Sequence, residues 1–190
     1  NKKISAVDKF KPINLKSNIK FYKFDLNMNL ERGDFYNNSY DTILMLDVIE
    51  HLNSPEKFLD EIYLMLKKNP ETNIFVSTGN ISFIATRLLH LFGIFNYGKK
   101  GILDLTHTRL FTFKTLQKLF KQSGFIVNEV KGISAPWPLL FGENFFSKTL
   151  LFINQFLNKV FPGLFAYQIW MSVKPSPSLD YLLNEAIKNK

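Results

Sequence analysis

The sequence contains no cysteine, which excludes disulfide bonds and thiolate metal sites. No segment approaches the roughly 20 consecutive apolar residues of a membrane-spanning helix, and residues 1–10 lack the apolar centre of a signal peptide. There is no arginine cluster, because the net charge of +8 comes from scattered lysines, and this favours a solvated surface over a nucleic-acid partner. These absences predict a soluble, cytoplasmic protein that binds no nucleic acid.

The chain is long enough for one domain with a sizeable core. It has 190 residues, of which 46% are hydrophobic and 20 are phenylalanine. We expect the domain to cover residues 1–174, and residues 175–190 to form a linker and a C-terminal tail. Composition does not indicate the oligomeric state.

The segment 41–51, DTILMLDVIEH, contains the strand around which the chain is organised. Residues 41–46 are a near-continuous apolar run, which is typical of a strand buried on both faces of a parallel sheet. Asp47, Glu50 and His51 follow where this strand ends. In open α/β sheets the ligand crevice lies outside the carboxyl ends of the strands, so we expect the chemistry here.

Other strands and helices alternate along the chain. Strands are expected at residues 4–8, 19–25, 73–78, 125–130 and 166–173, and helices at residues 54–68 and 113–123. This alternation predicts a Rossmann-like α/β fold with a doubly wound, mostly parallel sheet, whose last strand is antiparallel.

A helical insertion is expected at residues 136–163, before the last strand, with an amphipathic helix near residues 146–160. This insertion could cover a substrate or touch a membrane surface. We favour packing onto the domain, because aromatic stripes at helical spacing usually belong to a core.

Three successive strands end on a carboxylate, namely Asp8, Asp25 and Asp47. Together they would line one sheet edge with acceptors, as a site for hydroxyl and amino groups requires. In doubly wound folds an acidic residue in this position binds a nucleotide ribose. For Asp8 alone, the alternative is an aspartate that opens a loop before Pro12.

The loop at residues 96–112 is long and aperiodic, and it carries Asp104, His107 and Arg109, so it is a candidate active-site lid. His107 and His51 are the plausible bases with an ordinary pKa near neutrality. We favour His107 as the base on the substrate side. The alternative is that His107 only anchors the loop to a carboxylate such as Asp104.

Asp47, Glu50 and His51 are spaced i, i+3 and i+4, which would place them on one face of a helical turn, as metal ligands require. Two carboxylates and one histidine, without a second histidine, are a poor zinc set. We therefore predict no metal and expect a polar cluster beside a cofactor.

An ordered set of motifs carries a family resemblance. The motifs are Val7-Asp8, Phe24-Asp25-Leu26, LDVIEHL at 46–52, STGN at 77–80, HTRLFT at 107–112 and Gly124-Phe125. Together they resemble class I S-adenosylmethionine-dependent methyltransferases, and most of all the bacterial branch known only by its methyltransferase domain.

The resemblance implies roles for individual residues in binding S-adenosylmethionine. Asp8 would bind the two ribose hydroxyls, while Asp25 and Leu26 would contact the adenine. The methionine end would lie at the end of the strand that precedes the acidic cluster, beside Leu46, Asp47, Val48 and His51. The first strand of the family's seven-stranded sheet and its glycine-rich loop are missing, so the resemblance implies an incomplete domain that by itself binds the cofactor poorly.

The activity that the resemblance implies is methyl transfer, which we expect to an oxygen of a small metabolite, a glycan or a lipid-linked intermediate. Two alternatives remain open. One is a nucleotide-dependent oxidoreductase or epimerase on a similar sheet, for which Asp8 would serve a dinucleotide ribose equally well. The other is a non-catalytic Rossmann-like binding domain.

Overall fold

The structure is a computed structural model that describes residues 3–188, apart from the side chains at positions 140, 184 and 185. Its strands are β1 (Ile4–Asp8), β2 (Ile19–Lys23), β3 (Thr42–Leu46), β4 (Asn73–Gly79), β5 (Phe125–Ile133) and β6 (Gln168–Pro175). Its α-helices are α1 (Pro55–Leu66), α2 (Ile84–Leu91), α3 (Phe113–Gln122), α4 (Trp137–Phe141), α5 (Phe145–Val160), α6 (Pro162–Phe165) and α7 (Leu179–Lys188). Short 3-10 turns occupy Leu30–Arg32 and Ile49–His51.

The strands pair into two sheets, whereas the sequence predicted one. β1 and β2 form a parallel pair. The second sheet has the order β3-β4-β6-β5, in which β3 and β4 are parallel and β6 runs antiparallel to both of its neighbours. Among residues 3–188 no strand pairs with the outer edge of β1 or of β3. The architecture is a Rossmann-like mixture of α and β, and the antiparallel last strand is confirmed.

One face of the four-stranded sheet forms the core. Ile74 and Val76 of β4 are fully buried on this face, as are Met171 and Val173 of β6. The helices contribute apolar stripes at helical spacing, namely Phe58, Leu59, Ile62 and Leu66 from α1 and Leu116, Leu119 and Phe120 from α3. These two helices therefore pack on the same side of the sheet and hold the strand ends in place.

The ends of α1 and α3 follow local sequence signals. Pro55 opens α1, although the Ser54 hydroxyl makes no capping hydrogen bond there. Thr112 and Thr115 form a reciprocal capping box at the start of α3. Gly124 follows α3 with a φ of 83°, a left-handed conformation that glycine adopts without a steric cost.

β3 is buried on one face only, which corrects the expectation of burial on both. Met45 faces the core and is 3% exposed, whereas Leu44 is 63% exposed and Leu46 is 52% exposed. The register places Phe75 of β4 beside Leu44 on the open face, where its ring stacks on Trp170 at 5.7 Å between ring centroids. Because α1 and α3 both lie on the Met45 side, the alternate leucines of the apolar run stay in solvent.

Helix α5 of the insertion is turned the opposite way from our expectation. Its buried residues are polar, namely Ser147, Asn154 and Asn158. Phe152 is 72% exposed and Phe156 is 63% exposed, so the aromatic stripe does not join the core. The physical reason is hydrogen bonding. Asn154 accepts from the Ala135 N–H and donates to the Phe165 carbonyl, and Asn158 donates to the Gly132 carbonyl.

The segment after β6 packs against the domain. Ser176 donates its N–H and its hydroxyl to the Gly124 carbonyl, at 2.9 and 2.7 Å. The expected linker from residue 175 is therefore anchored beside the end of α3 before α7 begins. Within residues 3–188, every helix is too short or too polar to span a bilayer.

Candidate functional site

The carboxyl ends of β1 and β2 bring Asp8 and Asp25 to the same edge. Asp8 is exposed, and its Oδ1 accepts from the Phe10 N–H at 2.8 Å. Asp25 accepts from the Asn27 N–H at 3.0 Å and pairs with the Lys9 ammonium at 3.1 Å. The Asn27 N–H and the Lys9 ammonium lower the pKa of Asp25, so its carboxylate is ionised at neutral pH.

A hydrogen bond joins this edge to the segment that follows β3. The Asn27 Oδ1 accepts from the Asn53 N–H at 2.8 Å, although the two residues follow strands of different sheets. Leu26 lies beside them and lines a small cavity of about 40 Å³ with Phe58. The residues predicted to bind the adenosine and the segment after β3, where the chemistry is predicted, therefore lie on one side of the molecule.

Asp47 directly follows β3 and adopts a left-handed conformation with a φ of 52°. Its carboxylate accepts from the Ser77 hydroxyl at 3.1 Å and from the Gln168 side-chain amide at 3.1 Å. The expectation that Asp47 shares one helical face with Glu50 and His51 is therefore wrong, because the positive φ turns Asp47 toward β4 and β6. Leu46 before it is half exposed, and Val48 after it is half-buried.

Glu50 lies in the 3-10 turn Ile49–His51 and is only 2% exposed. Its Oε2 has no hydrogen-bond partner among the described residues. Burial raises the pKa of this carboxyl, since a charge is poorly solvated there. The Glu50 carbonyl accepts from the N–H groups of Thr108 and Arg109, so the turn holds the loop that carries His107.

His51 and His107 meet edge to face, with 4.8 Å between their ring centroids. The His107 Nδ1 lies 2.9 Å from the Ile102 carbonyl, and the His51 Nδ1 lies 3.1 Å from the Thr106 carbonyl. A carbonyl oxygen only accepts, so each Nδ1 must donate. The neutral form of each ring then carries its lone pair on Nε2.

The alternative role for His107, an anchor to the Asp104 carboxylate, is not what the structure shows. Asp104 accepts instead from the Thr106 N–H and hydroxyl, at 2.8 and 2.6 Å. His107 is anchored all the same, through its Nδ1 and the Ile102 carbonyl. His107 can anchor the loop through Nδ1 and keep Nε2 free, so the roles of loop anchor and of base do not exclude each other.

Several polar residues near the site or on neighbouring helices serve the fold. Arg109 pairs with the exposed Glu56 at 3.1 Å. His90 packs its ring against Phe95, at 4.5 Å between centroids. The Tyr63 hydroxyl donates to the Ser176 carbonyl. Tyr63 and Lys67, which have the tyrosine-lysine spacing of some oxidoreductases, therefore give no support to that alternative.

Sequence reasoning missed three contributors to this site. Thr106 and the Ile102 carbonyl orient the two histidines, and Gln168 holds Asp47. None has a local signal, because each acts on a residue that is distant in sequence or through its backbone. Glu50 was predicted as a member of the polar cluster after β3, but its burial was not.

Comparisons with known proteins agree with this picture. The sequence pattern of a family described as a methyltransferase domain matches residues 3–130. No curated protein matches the chain significantly. A candidate methyltransferase of Bacillus halodurans C-125 is 18% identical, with a TM-score of 0.54, over 93% of this chain and 84% of that one.

Two further structures share the fold. An S-adenosylmethionine-dependent methyltransferase of Archaeoglobus fulgidus is 18% identical with a TM-score of 0.51, over 82% of this chain and 67% of that one. A similar enzyme of Thermotoga maritima is 16% identical with a TM-score of 0.52, over 84% of this chain and 65% of that one. The family match spans more than half of the sequence. The chain therefore belongs to the methyltransferase-domain family, and its predicted kinship with class I S-adenosylmethionine-dependent methyltransferases is confirmed.

Proposed function

We propose that the protein transfers a methyl group from S-adenosylmethionine to an oxygen of its acceptor. One observation carries the proposal beyond family membership. Asn27 donates its N–H to the Asp25 carboxylate and accepts from the Asn53 N–H, two residues after His51, so the ends of β1 and β2 are joined to the segment that carries His51. His107 packs against His51 from the loop at residues 96–112. The two carboxylates, which can accept hydrogen bonds from hydroxyl and amino groups, thus lie on the same side of the molecule as the imidazoles of His51 and His107.

We assign the adenosine to the ends of β1 and β2. Asp8 has one carboxylate oxygen bonded to the Phe10 N–H, and its exposed position suits the ribose hydroxyls. Asp25 would accept a hydrogen bond from the adenine amino group beside Leu26. For that to occur, the ion pair between Asp25 and the Lys9 ammonium must break, or the carboxylate must bind both groups at once. The backbone at the end of β3, from Leu46 through Asp47 to Val48, would then face the methionine end, with His51 nearby.

When bound, S-adenosylmethionine supplies an electrophilic methyl group on a sulfonium. The protein has to hold the acceptor oxygen in line with that methyl and exclude water. As the new O–C bond forms and the S–C bond breaks, the acceptor hydroxyl has to lose its proton. His107 supplies the Nε2 lone pair that receives it, because its Nδ1 already donates to the Ile102 carbonyl.

Calorimetry on the complete gene product tests the assignment. We expect micromolar binding of S-adenosylmethionine and no heat with NAD, followed by methyl gain on an acceptor detected by mass spectrometry of a treated lysate. Binding of NAD in place of S-adenosylmethionine would support the oxidoreductase alternative. Binding of neither would support a non-catalytic domain, and either result would overturn the proposal.

The acceptor that we favour is lipid-linked, because α5 presents an apolar surface. Phe145, Phe152 and Phe156 are 86%, 72% and 63% exposed, and Lys148 and Lys159 lie on the same helix. Exposed aromatic residues with lysines, on a chain of net charge +8, are suited to an anionic bilayer surface. Contact with a membrane surface is therefore the role that we prefer for this helix.

Vesicle sedimentation provides the measurement. The protein should bind phosphatidylglycerol vesicles more tightly than phosphatidylcholine vesicles. Phe152→Asn and Phe156→Asn should each weaken that binding roughly tenfold, because burying an aromatic side chain contributes about 1.5 kcal/mol or more. Leu64→Asn, at an exposed apolar position on α1, is the matched control. Equal binding by the control and by both phenylalanine variants would exclude α5 as the membrane surface.

A further inference from the structure

We propose that Glu50, His51 and His107 bind a divalent first-row transition-metal ion. Each of the three residues offers one ligand atom, and these atoms lie within 4.8 Å of one another. Ligand atoms about 2.1 Å from a tetrahedral ion lie about 3.4 Å apart, so the ligand atoms need to approach one another by up to about 1.4 Å.

The buried carboxylate of Glu50 supports this inference. Glu50 is 2% exposed, and its Oε2 has no hydrogen-bond partner among residues 3–188. A buried polar atom without a partner costs free energy, and folded proteins seldom leave one unsatisfied. A cation beside the two histidines would supply both the missing partner and the compensating charge.

The orientation of the histidines is an independent observation. A metal-binding histidine usually donates its second ring N–H to a carbonyl or a carboxylate, which fixes the tautomer. Both rings follow this arrangement, His107 toward the Ile102 carbonyl and His51 toward the Thr106 carbonyl.

Thr106 determines the direction of one of these contacts. Its hydroxyl lies 3.1 Å from the His51 Nδ1 and donates to Asp104 at 2.6 Å. A hydroxyl has only one proton, and Asp104 receives it. Thr106 must therefore accept from the His51 Nδ1, and the lone pair of the neutral His51 ring lies on Nε2. This chain of bonds extends from the Asp104 carboxylate to the ring.

The chemistry of the three ligands selects the class of ion. Two imidazoles and one carboxylate form the protein ligands of many catalytic zinc sites, and the same combination binds Fe²⁺. Mg²⁺ and Ca²⁺ prefer oxygen ligands and fit this set poorly. The sequence segment 47–51 lacks a second histidine, and the fold supplies it as His107 from a distant loop.

The role of the ion rests on the proposed function, but its binding does not. Three protein ligands leave a tetrahedral ion one open position, in which an acceptor hydroxyl could bind and lose its proton more readily. The ion would use the same Nε2 lone pair that would otherwise receive the proton. With the ion bound, His107 is a ligand, and the ion activates the acceptor oxygen.

Titration of the metal-free complete gene product with Co²⁺ tests the site directly. We expect one equivalent to bind with visible absorption of a tetrahedral or five-coordinate ion, and Zn²⁺ to displace it. Mg²⁺ in large excess should not displace the bound Co²⁺. Glu50→Gln and His107→Asn should each weaken binding at least about tenfold, as the loss of a ligand predicts.

The variants have matched controls. Asn at position 107 can still donate to the Ile102 carbonyl, so His107→Asn removes the free nitrogen and keeps the loop anchor. His90→Ala removes the chain's third histidine outside the cluster, and Asp60→Asn removes an exposed carboxylate of α1. Both controls should bind Co²⁺ like the wild type, and circular dichroism should show all four variants folded.

The proposal is overturned if the wild type binds no Co²⁺, or if folded Glu50→Gln and His107→Asn bind it as tightly as the controls do. Calorimetry with S-adenosylmethionine, on the same metal-free samples, separates this outcome from failure of the proposed function. Co²⁺ binding without S-adenosylmethionine binding would leave the metal site intact and remove the methyltransferase assignment. The reverse result would remove the metal site alone.

Discussion

Replacing Asp8 with alanine should weaken S-adenosylmethionine binding about 10- to 100-fold and leave the fold intact. A hydrogen bond to a charged group contributes about 1.5–3 kcal/mol, and the carboxylate would accept from the ribose hydroxyls. The stability cost should be small, because Asp8 is exposed and, among the described residues, its carboxylate accepts only from the Phe10 N–H two residues away. Calorimetry on the complete gene product measures the affinity.

Asp25→Ala should produce a loss of similar size, and it also releases Lys9. Asp34→Ala is the matched control, because Asp34 is an exposed aspartate in the loop before β3. The control should bind S-adenosylmethionine like the wild type. Wild-type affinity in both Asp8→Ala and Asp25→Ala would place the adenosine away from the ends of β1 and β2.

Replacing His107 with asparagine should lower turnover roughly 10²- to 10⁴-fold, which is the usual contribution of a positioned acid or base. Affinity for S-adenosylmethionine should change by less than about twofold, because the residue lies on the acceptor side in our assignment. Asparagine can keep the bond to the Ile102 carbonyl, so the loop should stay in place. Steady-state kinetics with the identified acceptor, and calorimetry with the cofactor, are the two measurements.

His90→Ala is the control for this experiment, since His90 packs against Phe95. Full turnover in His107→Asn would remove His107 from the mechanism. Chelation separates the two ways in which His107 could act. A wild-type enzyme that loses as much turnover after metal removal as through the substitution uses the ion, whereas an enzyme insensitive to chelation uses His107 as a base.

The elements that could be predicted are those with a strong period. β1 matches its expected residues, and α1 and α3 lie within a few residues of theirs, because apolar spacing and local end signals specify them. The hydrophobic periodicity of a strand or helix does not say which of its faces other elements will bury. β3 therefore has open leucines at positions 44 and 46. The pairing of strands into two sheets depends on neighbours that no single strand specifies.

The site was predictable in its position but not in its orientation. Asp8, Asp25 and the segment after β3 were expected at one edge, and the structure brings them to one side. Asp47 turns away because its φ is 52°, a conformation that is rare outside glycine and that the apolar run before it does not indicate. The meeting of His51 with His107 depends on a loop held by the Glu50 carbonyl, and backbone contacts leave no residue pattern.

Helix α5 shows how polar residues can override an aromatic stripe. Asn154 and Asn158 satisfy backbone groups beside β5 and α6, and those groups would otherwise be buried without partners. Turning the asparagines inward places Phe152 and Phe156 outside. The hydrophobic periodicity of this segment therefore predicted the position of α5 correctly but predicted the wrong buried face.

Within the described residues no strand pairs with the outer edge of β1 or of β3, and this has a practical consequence for anyone who purifies the polypeptide. Each edge presents a row of backbone N–H and C=O groups that can form hydrogen bonds with a strand edge of another molecule. The exposed leucines of β3 would strengthen this association through hydrophobic contact. Aggregates formed in this way would mimic cooperative or substoichiometric titration curves. Light scattering at the working concentration should therefore accompany every binding isotherm.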